Sequence, residues 1–305
     1  MRVLVTGSGG FCGQHLTRYL KEQGMDVHTL GYRDTKVPGH HYVTDVIDIK
    51  TLATVLKLVQ PDFLFHLAGV AHATNPTLFY RINTQYAVGL LHALEIVGLN
   101  DCPVLLAGTA AEYGMVSHEQ LPIQENLTPH PYSHYGISKL AQTLVGLAAS
   151  RNGRPIVMVR TFNVIGPGMP GHLVVHNQAV QIVKILKEQI PPVIEVGNLK
   201  SSRDFIDVDE VVKVFWRLIK TPSAYGEIIN VCCGKEITIE EILLKLIQLS
   251  GISIEVRPDP ARFKSVDIPE HYGCVKKLQR FLGYVPNTNL DMLLMRILRD
   301  LKNRI

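Results

Sequence analysis

The chain has 305 residues, 46% of them hydrophobic and 19% charged, with a formal net charge of +4. That length suits two modest units or one enlarged α/β unit, and the composition is that of a globular protein, not a disordered or fibrous one. The positive excess is small and spread along the chain, so it does not by itself argue for nucleic acid, and no nucleic-acid partner is expected; no apolar run reaches the roughly 18 residues of a membrane span.

Met1–Thr6 reads as a short apolar strand running straight into a glycine turn, which is not how a secretory leader begins. Phe11–Gln23 has helical spacing, with Phe11, Leu16, Tyr19 and Leu20 on one side, and Met25–Leu30 is a second strand. The alternation continues with a helix over Thr51–Val59, a strand over Phe63–Leu67, a long helix over Ile82–Ile96 and a strand over Val104–Ala107. Tyr135–Ala149 is a further helix and Ile156–Thr161 a further strand. Strands alternating with helices predict a doubly wound parallel sheet. Past Phe162 the texture changes. Gly166-Pro-Gly-Met-Pro-Gly171 is a loop, a helix covers Asn177–Lys187, and Pro191-Pro192 punctuates the chain. Asp207 with Glu210, and Thr238 with Glu241, are start signals for helices ending at Ile219 and at Leu249 before Gly251. The tail, Leu290–Ile305, is an amphipathic basic helix whose arginines read as a solvated face. These elements predict a Rossmann-type domain over 1–165, with 204–234 returning to it. A smaller C-terminal α/β substrate lobe takes 166–203 and 235–305. The five cysteines (Cys12, Cys102, Cys232, Cys233, Cys274) have neither metal nor disulfide spacing, which fits reduced thiols in the cytoplasm.

Gly7, Gly10 and Gly13 form a G-x-x-G-x-x-G turn between the first strand and first helix. Such a turn must be tight, must let backbone N–H groups approach a pyrophosphate, and must aim a helix N-terminus at negative charge. Sites selective for NAD place an acid at the end of the second strand; this chain has Gly31-Tyr32-Arg33 there. Arg33 could grip a 2′-phosphate, which predicts NADP(H), with NAD(H) as the alternative. Tyr135 and Lys139 lie four residues apart, on one helical face. A lysine cation there is expected to lower the phenol from its reference value of about 10.

Gly7/Gly10/Gly13, His66-Leu-Ala-Gly69, Asn83, Gly108-Thr-Ala-Ala-Glu-Tyr113-Gly114 and Tyr135/Lys139 come in the order seen in extended short-chain dehydrogenase/reductases, and the chain resembles that family along its whole length. The resemblance implies Thr109, Tyr135 and Lys139 as catalytic residues. It implies cofactor contacts at Gly7, Gly10, Phe11, Cys12, Gly13, Asp45, Val46, Leu67, Ala68, Gly69, Asn83 and Phe162. Arg160-Thr-Phe-Asn163-Val-Ile-Gly166-Pro-Gly168, Val196 to Phe205, Asn230 to Gly234 and Asp259-Pro-Ala-Arg262 are similar to its nucleotide-sugar members. Among these it is closest to the reductases of GDP-linked 4-keto-6-deoxy-mannose, with the GDP-mannose 4,6-dehydratases next. Substrate contacts are then implied at Ala110, Ala111, Asn163, Arg203, Arg262 and Lys264, with a homodimer as the assembly.

One position departs from the pattern. Dehydratases of this family carry a glutamate where this chain has Ala111; Glu112 is adjacent, but in a strand-like stretch it would point to the other face. The reading is therefore reduction: hydride from NADPH to C4 of the sugar, a proton from Tyr135, the oxygen held by Thr109. His134 is assigned a structural or substrate-contact role. The rival readings are a 4-epimerase or 3,5-epimerase/reductase and, from another class, a non-catalytic NADP(H)-sensing module.

Overall fold

The computed structural model describes residues 1–32, 39–44, 47–263 and 268–305. The first half runs β1 (Arg2–Thr6), α1 (Phe11–Glu22), β2 (Asp26–Gly31), β3 (His40–Val43), α2 (Ile49–Val59), β4 (Phe63–His66), α3 (Thr77–Phe79), α4 (Tyr86–Ile96), β5 (Val104–Thr109), α5 (His134–Arg151) and β6 (Ile156–Thr161). A π-helical turn, Tyr80–Gln85, joins α3 to α4. The second half runs β7 (Asn163–Ile165), α6 (Val174–Leu186), β8 (Val193–Val196), β9 (Ser202–Arg203), β10 (Phe205–Asp207), α7 (Val208–Ile219) and β11 (Ile228–Val231). It ends with β12 (Ile237–Thr238), α8 (Ile239–Ser250), β13 (Glu255–Pro258), β14 (Glu270–His271), α9 (Lys276–Leu282) and α10 (Leu290–Arg304).

Seven strands make one sheet in the order β11-β6-β5-β4-β1-β2-β3, every pairing parallel. The doubly wound parallel architecture expected from the alternation is borne out. Its strands are apolar on consecutive positions because both faces are covered. Val3, Val5, Phe65, Leu105, Val157 and Val159 pack toward α1 and α7. Leu4, Leu64, Val104, Leu106 and Met158 pack toward α2 and α4. The chain changes direction between β1 and β4, so the crevice where such sheets bind ligands opens at the carboxyl ends of those two strands.

A separate core lies in the second half, where α6, α8 and α10 pack together with Ile194 and Val196 of β8. α9 leaves that lobe, and its Leu278 joins the sheet core. The caps at Asp207 and Thr238 are where the sequence put them: Asp207 accepts the Asp209 N–H at 3.0 Å and Thr238 the Glu241 N–H at 3.0 Å. The α10 arginines are not simply solvated. Arg296 pairs with Asp207 at 2.7 Å and with Asp209, tying the last helix to the start of α7.

Candidate active site

The glycine turn is as tight as its spacing suggested. Gly7 has φ +71°, and a Cβ on it would lie 2.6 Å from the Ala68 backbone nitrogen. A Cβ on Gly13 would lie 2.1 Å from the Gly7 carbonyl oxygen. A hydrogen bond of 3.0 Å from Gly10 N–H to that carbonyl closes the turn. α1 then begins with no side-chain cap and no acid in its first turn. Its first N–H groups are thus left to an anion, with bare glycine backbone around them.

The end of β4 lies beside this turn. Leu67 and Ala68 donate their N–H groups to the carbonyl and hydroxyl of Thr6, both at 3.3 Å. Gly69 faces Asn83 and Lys139: a Cβ there would be 3.1 Å from Asn83 Oδ1 and 3.6 Å from Lys139 Nζ. Asn83 is fully buried in the π-helical turn. It accepts the Val70 N–H at 2.8 Å and donates to the Val70 carbonyl at 3.0 Å and to Ser138 Oγ at 2.9 Å. Ser138 in turn donates to the Tyr135 carbonyl at 2.8 Å. One buried amide thus ties the loop after β4 to the helix that carries Tyr135 and Lys139.

Thr109 ends β5 and caps a short 3-10 turn, Ala110–Glu112. The sequence read Glu112 as strand-like. The turn reverses that, yet the carboxylate still points inward. Glu112 is fully buried and accepts from the Thr109 N–H at 3.0 Å, from Thr143 Oγ1 at 2.9 Å and from Arg160 Nε at 2.9 Å. Ala110 and Ala111 are therefore the side chains between Thr109 and this buried acid. α5 can approach the turn closely because residue 136 is glycine, where a Cβ would lie 2.6 Å from the Ala111 carbonyl.

Burial pushes the Tyr135 phenol up to about 12, with a Thr109 hydrogen bond pulling it down and the Glu112 and Cys12 charges adding to the rise. The expected lowering by Lys139 is not found. The Lys139 ammonium instead donates to Gln142 Oε1 at 2.8 Å, and Gln142 Nε2 donates to the Ala107 carbonyl at 3.1 Å. Burial brings Lys139 down to about 8, against the pull of Glu112. Tyr135 is thus held as a neutral phenol with Thr109 beside it. Gln142 was missed in the sequence, although i+3 from Lys139 is a helical neighbour. Nothing local marked Ser138.

The remaining expected residues are spread around the crevice. Phe162 is buried against Tyr113, Ile123 and Cys232, and Asn163 begins β7 beside β10, donating to the Asp204 carbonyl. Arg203 donates to the Ser202 and Ile268 carbonyls, each at 2.7 Å. Arg262 pairs with Glu195 at 3.1 Å and Asp259 at 3.2 Å. The exposed His134 faces the Tyr80 hydroxyl at 2.9 Å. Arg33, Asp45, Val46 and Lys264 lie outside the described residues.

The model of the "NAD dependent epimerase/dehydratase family" matches residues 3–232. The GDP-6-deoxy-D-mannose reductase of Pseudomonas aeruginosa is 32% identical over 100% of this chain and 98% of its own length. The GDP-6-deoxy-D-talose 4-dehydrogenase of Aggregatibacter actinomycetemcomitans is 32% identical over 93% of this chain and 92% of its own. Among solved structures, RMD from Pseudomonas aeruginosa complexed with NADPH is similar with a TM-score of 0.89 at 29% identity, covering 100% of this chain and 99% of that one.

Proposed function

The chain belongs to the NAD dependent epimerase/dehydratase family, and we propose that it is an NADPH-dependent reductase of a GDP-linked 4-keto-6-deoxy sugar. The observation that carries this reading is a buried, protonated Tyr135 next to Thr109 at the edge of the glycine crevice, with no acid at Ala111. Two full-length relatives named for GDP-6-deoxy sugars, and a similar structure holding NADPH, support it. Nothing at Ala111 could move protons for water loss, so dehydration is not supported.

The crevice fits a dinucleotide: a glycine turn so tight that a Cβ at Gly7 or Gly13 would strike backbone, and a helix start with unclaimed N–H groups. There Gly7, Gly10 and Gly13 with the first turn of α1 take the diphosphate, and Leu67–Gly69 line the path toward Lys139. When bound, NADPH supplies the hydride for C4. Lys139, steadied by Gln142, holds the ribose next to the reacting carbon. Tyr135 keeps its proton at neutral pH and delivers it to the C4 oxygen as charge grows there. Thr109, whose hydroxyl also accepts the Ala111 N–H at 3.2 Å, donates to the same oxygen and fixes its direction. Asn163, Arg203, Arg262 and Lys264 serve the nucleotide-sugar side, the arginines by bidentate bonds to diphosphate. By the same reading, 1–165 with 204–234 form the cofactor unit, and 166–203 with 235–305 the sugar-nucleotide lobe, except that α9 packs on the sheet core.

Mannose and talose differ only at C4, so the names of the two relatives represent delivery of hydride to opposite faces of the carbonyl. The deciding experiment is NADPH oxidation with GDP-, dTDP-, UDP- and CDP-linked 4-keto-6-deoxy sugars, with C4 of the product assigned by NMR. We expect turnover with the GDP-linked sugar foremost. Intact NADPH binding without oxidation by any of the four would overturn the reading. It extends to a homodimer in the cytoplasm: Val88 on α4 and Ile137 and Leu144 on α5 are exposed apolar side chains on neighbouring helices, which a second copy would cover. Sedimentation at the monomer mass would remove the dimer.

A further inference from the structure

The amino ends of β2 and β3 carry a group of side chains that the reaction does not use. Parallel register sets His28 opposite His40, and period-two alternation brings Asp26 and Tyr42 to the same face. Among the described residues, Asp26, His28 and His40 have ligand atoms within 4.8 Å of one another. The two imidazoles stack with centroids 4.7 Å apart. His28 is buried and held at both ring nitrogens: Nδ1 meets the Tyr42 hydroxyl and Nε2 meets Asp26 Oδ2, each at 3.2 Å.

We infer that Asp26, His28 and His40 form a binding site for a divalent transition-metal ion of the Zn2+ type. Two ligand atoms each about 2.0–2.1 Å from a tetrahedral zinc stand roughly 3.3 Å apart, and the Asp26–His28 separation is already close to that span. Without metal the gap is bridged by the His28 Nε2 proton donated to Asp26; on binding, the ion replaces that proton between the same two atoms. Tyr42 supplies the outer partner that orients the metal-binding nitrogen: with the hydroxyl taking the Nδ1 proton, Nε2 is left as the ligand. His40 is exposed at the start of β3 and needs only side-chain rotation to become the third ligand, leaving a fourth position for water. Two imidazoles and one carboxylate favour Zn2+ over Mg2+ or Ca2+, which take oxygen ligands. The site is at the opposite end of the strands from the glycine turn, so the metal would clip the sheet-edge strand β3 to β2 rather than meet substrate.

The test uses EDTA-stripped full-length protein titrated with ZnCl2 near pH 7.5. Bound metal is counted by mass spectrometry after dialysis, and melting is followed in parallel. Wild type should keep one equivalent and melt higher with zinc, because the ion binds the folded state. Asp26→Asn and His40→Ala, both at exposed positions, should lose that equivalent and the zinc-dependent shift while keeping the wild-type circular dichroism. His92→Ala, an exposed histidine elsewhere, should keep both. Absence of a bound equivalent in wild type, or its survival in both Asp26→Asn and His40→Ala, would overturn the assignment.

Discussion

Tyr135 and Lys139 are shifted in opposite directions by the same cause. Burial disfavours whichever form is charged, so it raises the phenol to about 12 and lowers the ammonium to about 8. The phenol therefore keeps its proton across the physiological range, as a general acid requires. Replacing Tyr135 by Phe should lower turnover by on the order of 10²–10⁴ with NADPH binding retained, measured as steady-state NADPH oxidation. For Lys139 the sign is the reverse: the folded protein loses this cation as pH rises through about 8, where a free lysine would hold it to 10.5. kcat/KM for NADPH should be level below pH 7 and fall above pH 8; a level profile to pH 10 would remove the Lys139 charge from cofactor binding. Glu112 acts on both groups without reaching substrate. Its carboxylate neutralises Arg160, which is itself buried, and holds the Thr109 N–H. Glu112→Ala would leave a buried guanidinium without its anion, so a loss of about 3–5 kcal/mol is expected in urea unfolding.

At the scale of elements, the β1–turn–α1 unit is the part most demanding of sequence. Gly13→Ala would drive a methyl group into the Gly7 carbonyl. It should raise the NADPH Kd by at least about tenfold by spoiling the diphosphate cradle, read by nucleotide fluorescence, with the melting temperature as the check on folding. This unit was legible in the sequence because strand, glycines and helix are fixed by neighbours within one turn of chain. The caps at Asp207 and Thr238 were legible for the same reason, and α8 begins at Ile239, directly after Thr238. β3 was not legible: His40-His-Tyr-Val43 carries little apolar pattern and exists through its pairing with β2. The π-helical turn around Asn83 has no sequence mark, since it is set by the bonds Asn83 makes to Val70 and Ser138. The 3-10 turn after Thr109 did leave a trace: Thr109 and Glu112 are spaced as a capping box, and the structure forms both of its bonds. The Glu112–Arg160 pair joins residues 48 apart and emerges only when β5 and β6 lie side by side.

For the whole molecule, acid sensitivity follows from histidines buried as neutral rings. Burial brings His66 down to about 3, and burial with the Arg203 charge brings His271 down to about 4. Between pH 6.5 and 4 the unfolded chain therefore takes up protons at these two sites that the folded one refuses, and stability falls as pH drops. Asp204, raised to about 6 by burial, opposes them by accepting a proton in the folded state first. Over these three groups the net is about one proton, so they should contribute a loss of roughly 1.4 kcal/mol per pH unit to urea unfolding between pH 6 and 4; His271→Gln should flatten that slope. The order of the sheet also bears on how the chain is made. β6 is complete by Thr161, but its outer neighbour β11 and the helix that covers Val157 and Val159 are encoded after residue 207. A nascent chain leaving the ribosome up to that point already contains Thr109, Tyr135 and Lys139, on a sheet with an open edge and a largely bare apolar face. Such a surface attracts other unfinished chains, so a pause in translation before α7 emerges is where this protein would depend most on a chaperone.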